Sequence, residues 1–238
     1  MNAQTGAIAP SQHSYVDASG LTTTEALVMR APFSFLVAPN MLDESDKQTL
    51  IDDFPLNKSA GYLPYNRESC ATTINELIDQ IAAPGFANPL GEQLGIDNLA
   101  QYPTYVSIAT KLNKRHGTIH TDGKSKVATL LLYLNEEWSG EGKGCLRFLN
   151  KIDDIEDTVV PEIQPKFGTL VAFKRADNSF HGHLPFEGER RVIQIAWLVS
   201  DEDAKRKAKR GKLSQKIKNL FNRMDKKVGS QRDDNAYH

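Results

Sequence analysis

Cysteine is scarce in this chain, and that is the first constraint on what it can be. Only Cys70 and Cys145 occur in 238 residues. Two thiols do not make the disulfide framework of a small secreted scaffold, so reduced cysteines in a cytoplasmic protein are expected. Long apolar runs are also lacking, since no segment reaches the ~18 consecutive apolar residues of a spanning helix. Met1 to Ser14 has no basic stretch leading into an apolar run, so no signal peptide is expected. These absences together give the expectation of a soluble protein. Internal repeats and low-complexity tracts are missing as well. A strong net charge is missing too, but the formal value of −1 conceals an asymmetry. From Asp201 to His238, 12 Lys and Arg stand against 6 acids, which gives this tail +6 and leaves residues 1–200 with −7.

What is present changes character along the chain. The apolar content of 39% suffices for one domain with appendages. Residues 1–30 are expected to be a flexible N-terminus, because Met1 to Thr24 is small, polar and rich in Ala, Ser and Thr. Phe33 to Val37 alternates like a strand. Met41 to Phe54 reads as an amphipathic helix ended by Pro55, and Thr72 to Ala83 as a second helix stopped by Pro84-Gly85. A weaker third helix covers Leu90 to Leu99. From Tyr102 the period falls to two, with strands expected over 105–109, 127–134, 145–149, 169–173 and 191–199. Helices followed by short strands predict an α+β fold: a double-stranded β-helix (jelly roll) core at about 102–200, within a domain of residues 31–200, carrying N-terminal supporting helices.

The chemistry concentrates in two motifs. In His120-Thr121-Asp122 the two ligand-type residues are two apart, so a strand places both on one face. A later imidazole from the opposing sheet would complete two His and one carboxylate. That set holds a metal on one face and leaves the other open, as non-haem Fe(II) oxygenases require. His181 and His183 share a strand parity and compete for the third position, while His116 belongs to a rim loop. Arg190 and Arg191 follow and point to opposite faces. Arg190 shares its face with Val192, Gln194 and Ala196, which suits a ligand cavity; Arg191 shares its face with Ile193, Ile195 and Trp197, which suits packing. Arg190 is therefore the expected anchor for an acidic co-substrate, through bidentate charge-assisted hydrogen bonds.

With these residues in place, the segment from about Thr104 to Leu198 resembles the prolyl-hydroxylase-like 2-oxoglutarate/Fe(II)-dependent dioxygenases. The matching pieces are His120-Thr121-Asp122, Leu132 to Trp138, Gly144 to Phe148, Ile163 to Phe167, and His181 through Pro185 to Arg190. The resemblance implies Fe(II) on His120, Asp122 and His181, because the family's distal His precedes its Pro by four residues and its Arg by nine. It also implies 2-oxoglutarate on Arg190 and Tyr133, with O2 as second co-substrate and ascorbate as candidate reductant. The implied activity is hydroxylation of an unactivated C–H bond, first of a peptidyl prolyl or other protein side chain, with a free amino acid or small metabolite as the alternative. A jelly-roll metal-binding module without turnover is the alternative of another class. The family's second tyrosine falls near Thr110 here, so that contact is replaced or lost. The loop Lys151 to Pro161 is this chain's own, and such loops shape substrate access.

The tail, residues 201–238, reads as a basic amphipathic helix with an apolar stripe of Leu213, Ile217, Leu220, Phe221 and Met224. Packing on the body, self-association and peripheral contact with anionic lipid are its open readings. Nucleic acid is disfavoured, because only Phe221 interleaves aromatic character with the charges. The segment from Asp203 to Lys227 is expected to be dispensable for chemistry.

Overall fold

The alternation that begins beyond Tyr102 builds one large antiparallel sheet. The computed structural model describes residues 13–211. Its strands are β1 (Leu27–Met29), β2 (Phe35–Ala38), β3 (Leu63–Pro64), β4 (Thr104–Leu112), β5 (Lys126–Tyr133), β6 (Arg147–Phe148), β7 (Leu170–Lys174), β8 (His181–Gly182) and β9 (Gly188–Leu198). The helices are α1 (Lys47–Asp52), α2 (Thr72–Ala82), α3 (Pro84–Leu94) and α4 (residues 201–211). Seven strands form a sheet in the order β1-β2-β7-β5-β9-β4-β3, and β6 pairs with β8 in a second sheet. Mixed helix and antiparallel sheet is thus the architecture, and the two sheets are consistent with a jelly roll.

Period-two alternation divides the core into two layers. On β5 and β9, Leu130, Leu132, Ile193, Ile195 and Trp197 join Leu77, Ile81 and Leu90 of the helices in one buried cluster. The opposite faces, with Leu131, Tyr133 and Val192, meet Leu146 and Phe148 beside the small sheet in a second cluster. The helices brace one side of the large sheet, and the other side is free to line a cavity. At ~25 cal/mol per Å² of apolar surface removed from water, each such buried Leu or Ile side chain contributes about 1.5–3 kcal/mol. Among the described residues, no helix is long and apolar enough to cross a membrane.

Several local expectations are corrected. Residues 13–30, expected to be flexible, are packed where they are described: Tyr15, Val16 and Leu21 are buried, and β1 pairs with β2. Their few apolar side chains cover the helical layer, which composition alone does not show. The helix expected over Met41 to Phe54 is reduced to a 3-10 turn at Glu44–Asp46 and α1. Asn40 has φ 55°, Met41 N–H donates to the Gly168 carbonyl (2.8 Å), and Asp43 caps the turn by accepting from Ser45 N–H. Met41 and Leu42 are therefore buried by tethered chain, not by helix. Pro84-Gly85 ends α2 but also begins α3, with Pro84 in the first turn, where its missing N–H costs nothing. The third helix is thus Pro84–Leu94, ended by Gly95 in the left-handed conformation, and Leu99 lies in a separate 3-10 turn. The stripe Leu213 to Met224 lies outside the described residues.

Candidate metal and co-substrate site

A pair of backbone hydrogen bonds assembles the site. His120 and His181 exchange N–H···O=C bonds at 3.0 Å in both directions, which lays the HxD segment against β8. Their imidazole centroids are 4.3 Å apart, and Asp122, two residues on, faces the same way. One ligand-type atom from each of His120, Asp122 and His181 lies within 4.8 Å of the others. His183 does not join this group. Its ring Nδ1 lies 2.8 Å from the Leu184 carbonyl, and its N–H donates to Gly117. Gly117 has φ +93°, and a Cβ there would stand 2.3 Å from the His183 ring, so only glycine lets the loop pass.

The donor set fits a divalent first-row ion. Nδ1 of His120 lies 2.8 Å from the Thr118 carbonyl and Nδ1 of His181 lies 2.9 Å from the Ser179 carbonyl. A carbonyl only accepts, so both Nδ1 atoms carry hydrogen and both Nε2 lone pairs are left for a metal. Burial pushes His181 down to about 4, which keeps it a neutral ligand. Burial alone would raise the Asp122 carboxyl, but the Lys126 ammonium, His181 and hydrogen bonds from Lys126 and Thr129 outweigh it and hold the group at about 2. Lys126 Nζ donates to Oδ1 and Thr129 Oγ1 to Oδ2, each at 2.5 Å. The turn closed by Lys126 N–H to Gly123 O returns the lysine to the carboxylate. Two imidazoles whose ligand-type atoms cluster with that of Asp122, with that carboxylate fixed, are the ligand types of a 2-His-1-carboxylate triad.

These shifts predict an acid-sensitive apoprotein. Histidines held below their unfolded pKa of ~6.5 leave the folded state short of protons. Stability from His181, and from His183, which burial also lowers to about 4, is fully present above pH ~6.5 and is lost as pH falls toward 4. Asp122 adds a second loss lower down, between its ordinary carboxylate range and about 2. Each pKa unit corresponds to about 1.4 kcal/mol, so the urea midpoint of metal-free protein should fall well before the carboxylates titrate. A midpoint flat from pH 7 to 5 would contradict neutral buried imidazoles.

A cavity of about 370 Å³ holds the cluster together with Tyr62, His116, Lys126, Arg190 and Gln194. Arg190 is 2% exposed. Its Nε donates to the Gly144 carbonyl (2.8 Å) and its Nη2 to the Tyr133 hydroxyl (3.2 Å), with the guanidinium 5.0 Å from that ring. Among the described residues no carboxylate pairs with Arg190. Burial opposes its charge, and the tyrosine hydroxyls sustain it. Arg191 occupies the other face, donating to the Ile51 carbonyl (2.7 Å) above Phe54.

Tyr62 is the site residue that sequence reasoning missed. It precedes β3, whose Leu63 pairs with Ile108, and it packs into the cavity-side cluster and lines the same cavity as Arg190, whose charge it helps sustain. Thr110 is turned away, its hydroxyl donating to the Pro55 carbonyl and accepting from Asn57 N–H. The second phenol beside Arg190 therefore comes from a different segment. No local pattern in Gly61-Tyr62-Leu63-Pro64 announces this, because the contact depends on β3 lying at the sheet edge.

Residues 105–199 match the family model of the 2OG-Fe(II) oxygenase superfamily. No curated protein matches the chain. Among solved structures, a prolyl-4-hydroxylase from Pseudomonas putida superposes with a TM-score of 0.50 at 18% identity, over 76% of this chain and 90% of that one. A viral collagen prolyl hydroxylase from Paramecium Bursaria Chlorella virus-1, in a 2OG complex, gives 0.48 at 21% identity, over 69% and 96%. A prolyl hydroxylase from Trichoplax adhaerens, in complex with a hypoxia inducible factor oxygen degradation domain peptide fragment, gives 0.41 at 17%, over 79% and 90%. At 18% identity the likeness to the Pseudomonas putida structure concerns the fold alone.

Proposed function

We propose, for a chain whose residues 105–199 belong to the 2OG-Fe(II) oxygenase superfamily, that the protein is an Fe(II)- and 2-oxoglutarate-dependent hydroxylase built on a jelly-roll core. Its iron ligands are His120, Asp122 and His181, and its co-substrate anchors are Arg190, Tyr133 and Tyr62. The observation that carries this reading is the buried, acid-free guanidinium of Arg190, set in the same cavity as the His-Asp-His cluster. An isolated buried cation is strongly unfavourable unless an anion completes it. A dicarboxylic keto acid whose keto end binds the metal would bring its far carboxylate to that place.

Iron supplies the oxidative step, in which substrate C–H, O2 and 2-oxoglutarate give the alcohol, succinate and CO2. The residues do the rest. Nδ1–H donation to backbone carbonyls aims both imidazoles, and Lys126 and Thr129 hold the carboxylate ionised and oriented. Arg190 takes the far carboxylate as a fixed fork, with the two phenols as further donors. Asp122 also argues against a halogenase, which would need that ligand position vacated for halide.

A peptidyl prolyl or other protein side chain is the first reading of the substrate, supported by the motif resemblance; a free metabolite is the second. Mass spectrometry under labelled O2 tests this, by following incorporation of one oxygen atom into peptides and metabolites. A labelled free metabolite would defeat the protein-substrate reading. For the co-substrate site, Tyr62→Phe should raise the 2-oxoglutarate requirement by several-fold to tenfold, the scale of one hydrogen bond near a charge at about 1.5 kcal/mol. An unchanged requirement would remove Tyr62 from the site.

A further inference from the structure

Gln194 lines the cavity with a half-buried side chain whose polar end is only half engaged. It stands on β9 opposite Ser107 of β4 on one side and Leu131 of β5 on the other. The buried Ser107 hydroxyl donates to its Oε1 (2.9 Å), which holds the carboxamide from the β4 side. Among the described residues its Nε2 has no hydrogen-bond partner, so its N–H groups are open to a ligand. The strand register locates them. On the cavity face of β5, Tyr133 lies opposite Val192, Leu131 opposite Gln194 and Thr129 opposite Ala196. The Tyr133 hydroxyl meets Arg190, and the Thr129 hydroxyl meets the Asp122 carboxylate. Gln194 therefore stands in the row between the guanidinium and the carboxylate of the metal cluster.

We propose that Gln194 is a positioning residue for the co-substrate, its Nε2 donating to a carboxylate oxygen at the keto-acid end, beside the metal. This rests on the hydroxylase reading above. A dicarboxylic keto acid reaching from Arg190 to the metal crosses the row of Leu131 and Gln194, one apolar and one polar. Leu131 suits its methylenes. Its keto-acid end chelates through the keto oxygen and one carboxylate oxygen, which leaves the second carboxylate oxygen in need of a donor. The groups nearest the metal are already directed elsewhere. Lys126 and Thr129 donate to Asp122, and each imidazole of the cluster gives its Nδ1–H to a backbone carbonyl. A carboxamide fits the need, because it donates without adding charge and costs less than an ammonium to hold away from water before the ligand arrives. Ser107 also decides which edge of the amide is offered. With its O–H on Oε1, the N–H edge turns outward; the reversed amide would present an acceptor to the carboxylate.

The test uses the full-length chain, loaded with Fe(II) without oxygen so that turnover cannot start, and titrated with 2-oxoglutarate. Two quantities are read: the affinity, and the position at saturation of the charge-transfer absorption that a bound keto acid gives Fe(II). Gln194→Leu should weaken 2-oxoglutarate binding about tenfold or more, the scale of a hydrogen bond to a charged group, and should displace the absorption. Ser107→Ala should do the same to a smaller extent, by freeing the carboxamide to turn. Arg190→Ala should weaken binding and leave the absorption in place, because it acts at the far carboxylate. Iron content and the urea midpoint are measured for each variant. If Gln194→Leu does not fold, the isosteric Gln194→Glu carries the test, with a larger loss expected from two carboxylates facing each other. An affinity within twofold of the unsubstituted chain, or an absorption that does not move, overturns the assignment and leaves Gln194 a tie between β4 and β9. Iron-loaded unsubstituted protein that gives no absorption with 2-oxoglutarate refutes the hydroxylase reading itself, so the two failures are distinguished.

Discussion

Replacing Arg190 by alanine should raise the 2-oxoglutarate concentration needed for half-saturation by tens to thousands of fold. The cost is about 2–5 kcal/mol, because a charge-assisted partner is removed from a buried site and the far carboxylate is left unpaired. The arrangement around Arg190 explains why the effect should be confined to it. Its Nε and one Nη are steadied by Gly144 O and the Tyr133 hydroxyl inside the cavity. The neighbouring Arg191 is spent on Ile51 O and Phe54 behind the sheet. Arg191→Ala should therefore lower the melting temperature and leave the 2-oxoglutarate titration nearly unmoved. A large rise in requirement for Arg191→Ala, with little change for Arg190→Ala, would reverse the assignment.

His181→Ala should have the second large effect, loss of metal binding. One of three ligands disappears, so the fall in affinity should exceed the ~10–100-fold typical of changes in the groups that merely support ligands. His183→Ala should retain metal, because the His183 ring is turned to the Leu184 carbonyl and stands outside the cluster. Equilibrium dialysis with Fe(II) or Mn(II), alongside urea unfolding of each variant, separates ligand loss from misfolding. Metal retained by His181→Ala and lost by His183→Ala would overturn the assignment.

The β-rich half was legible because period-two alternation survives any tertiary context that buries one face. The separation of Arg190 from Arg191 follows from the same parity: one residue along a strand changes layer, from the cavity to the helices. Helix boundaries were less legible. Asn40 in the left-handed region and the Met41 tether to Gly168 O interrupt a pattern that reads as continuous in one dimension. Pro84 serves equally to stop one helix and to start the next, and only packing decides. Tyr62 was invisible because its partner Arg190 is remote in sequence. Helix α4 was legible as a basic helix, but which of its charges pack was not: Lys207 is half-buried over the Tyr105 ring of β4, a contact remote in sequence.

The central claim is tested most directly by incubating the purified full-length protein with Fe(II), ascorbate, O2 and 2-oxoglutarate, without added substrate. Succinate and CO2 are then measured, and the iron spectrum is followed anaerobically as 2-oxoglutarate is added. Slow succinate formation, a spectral change on addition of 2-oxoglutarate, and loss of both in Asp122→Ala are the predicted results. Iron-loaded, folded protein that forms no succinate and shows no spectral response to 2-oxoglutarate would contradict the account and leave a metal-binding module without turnover.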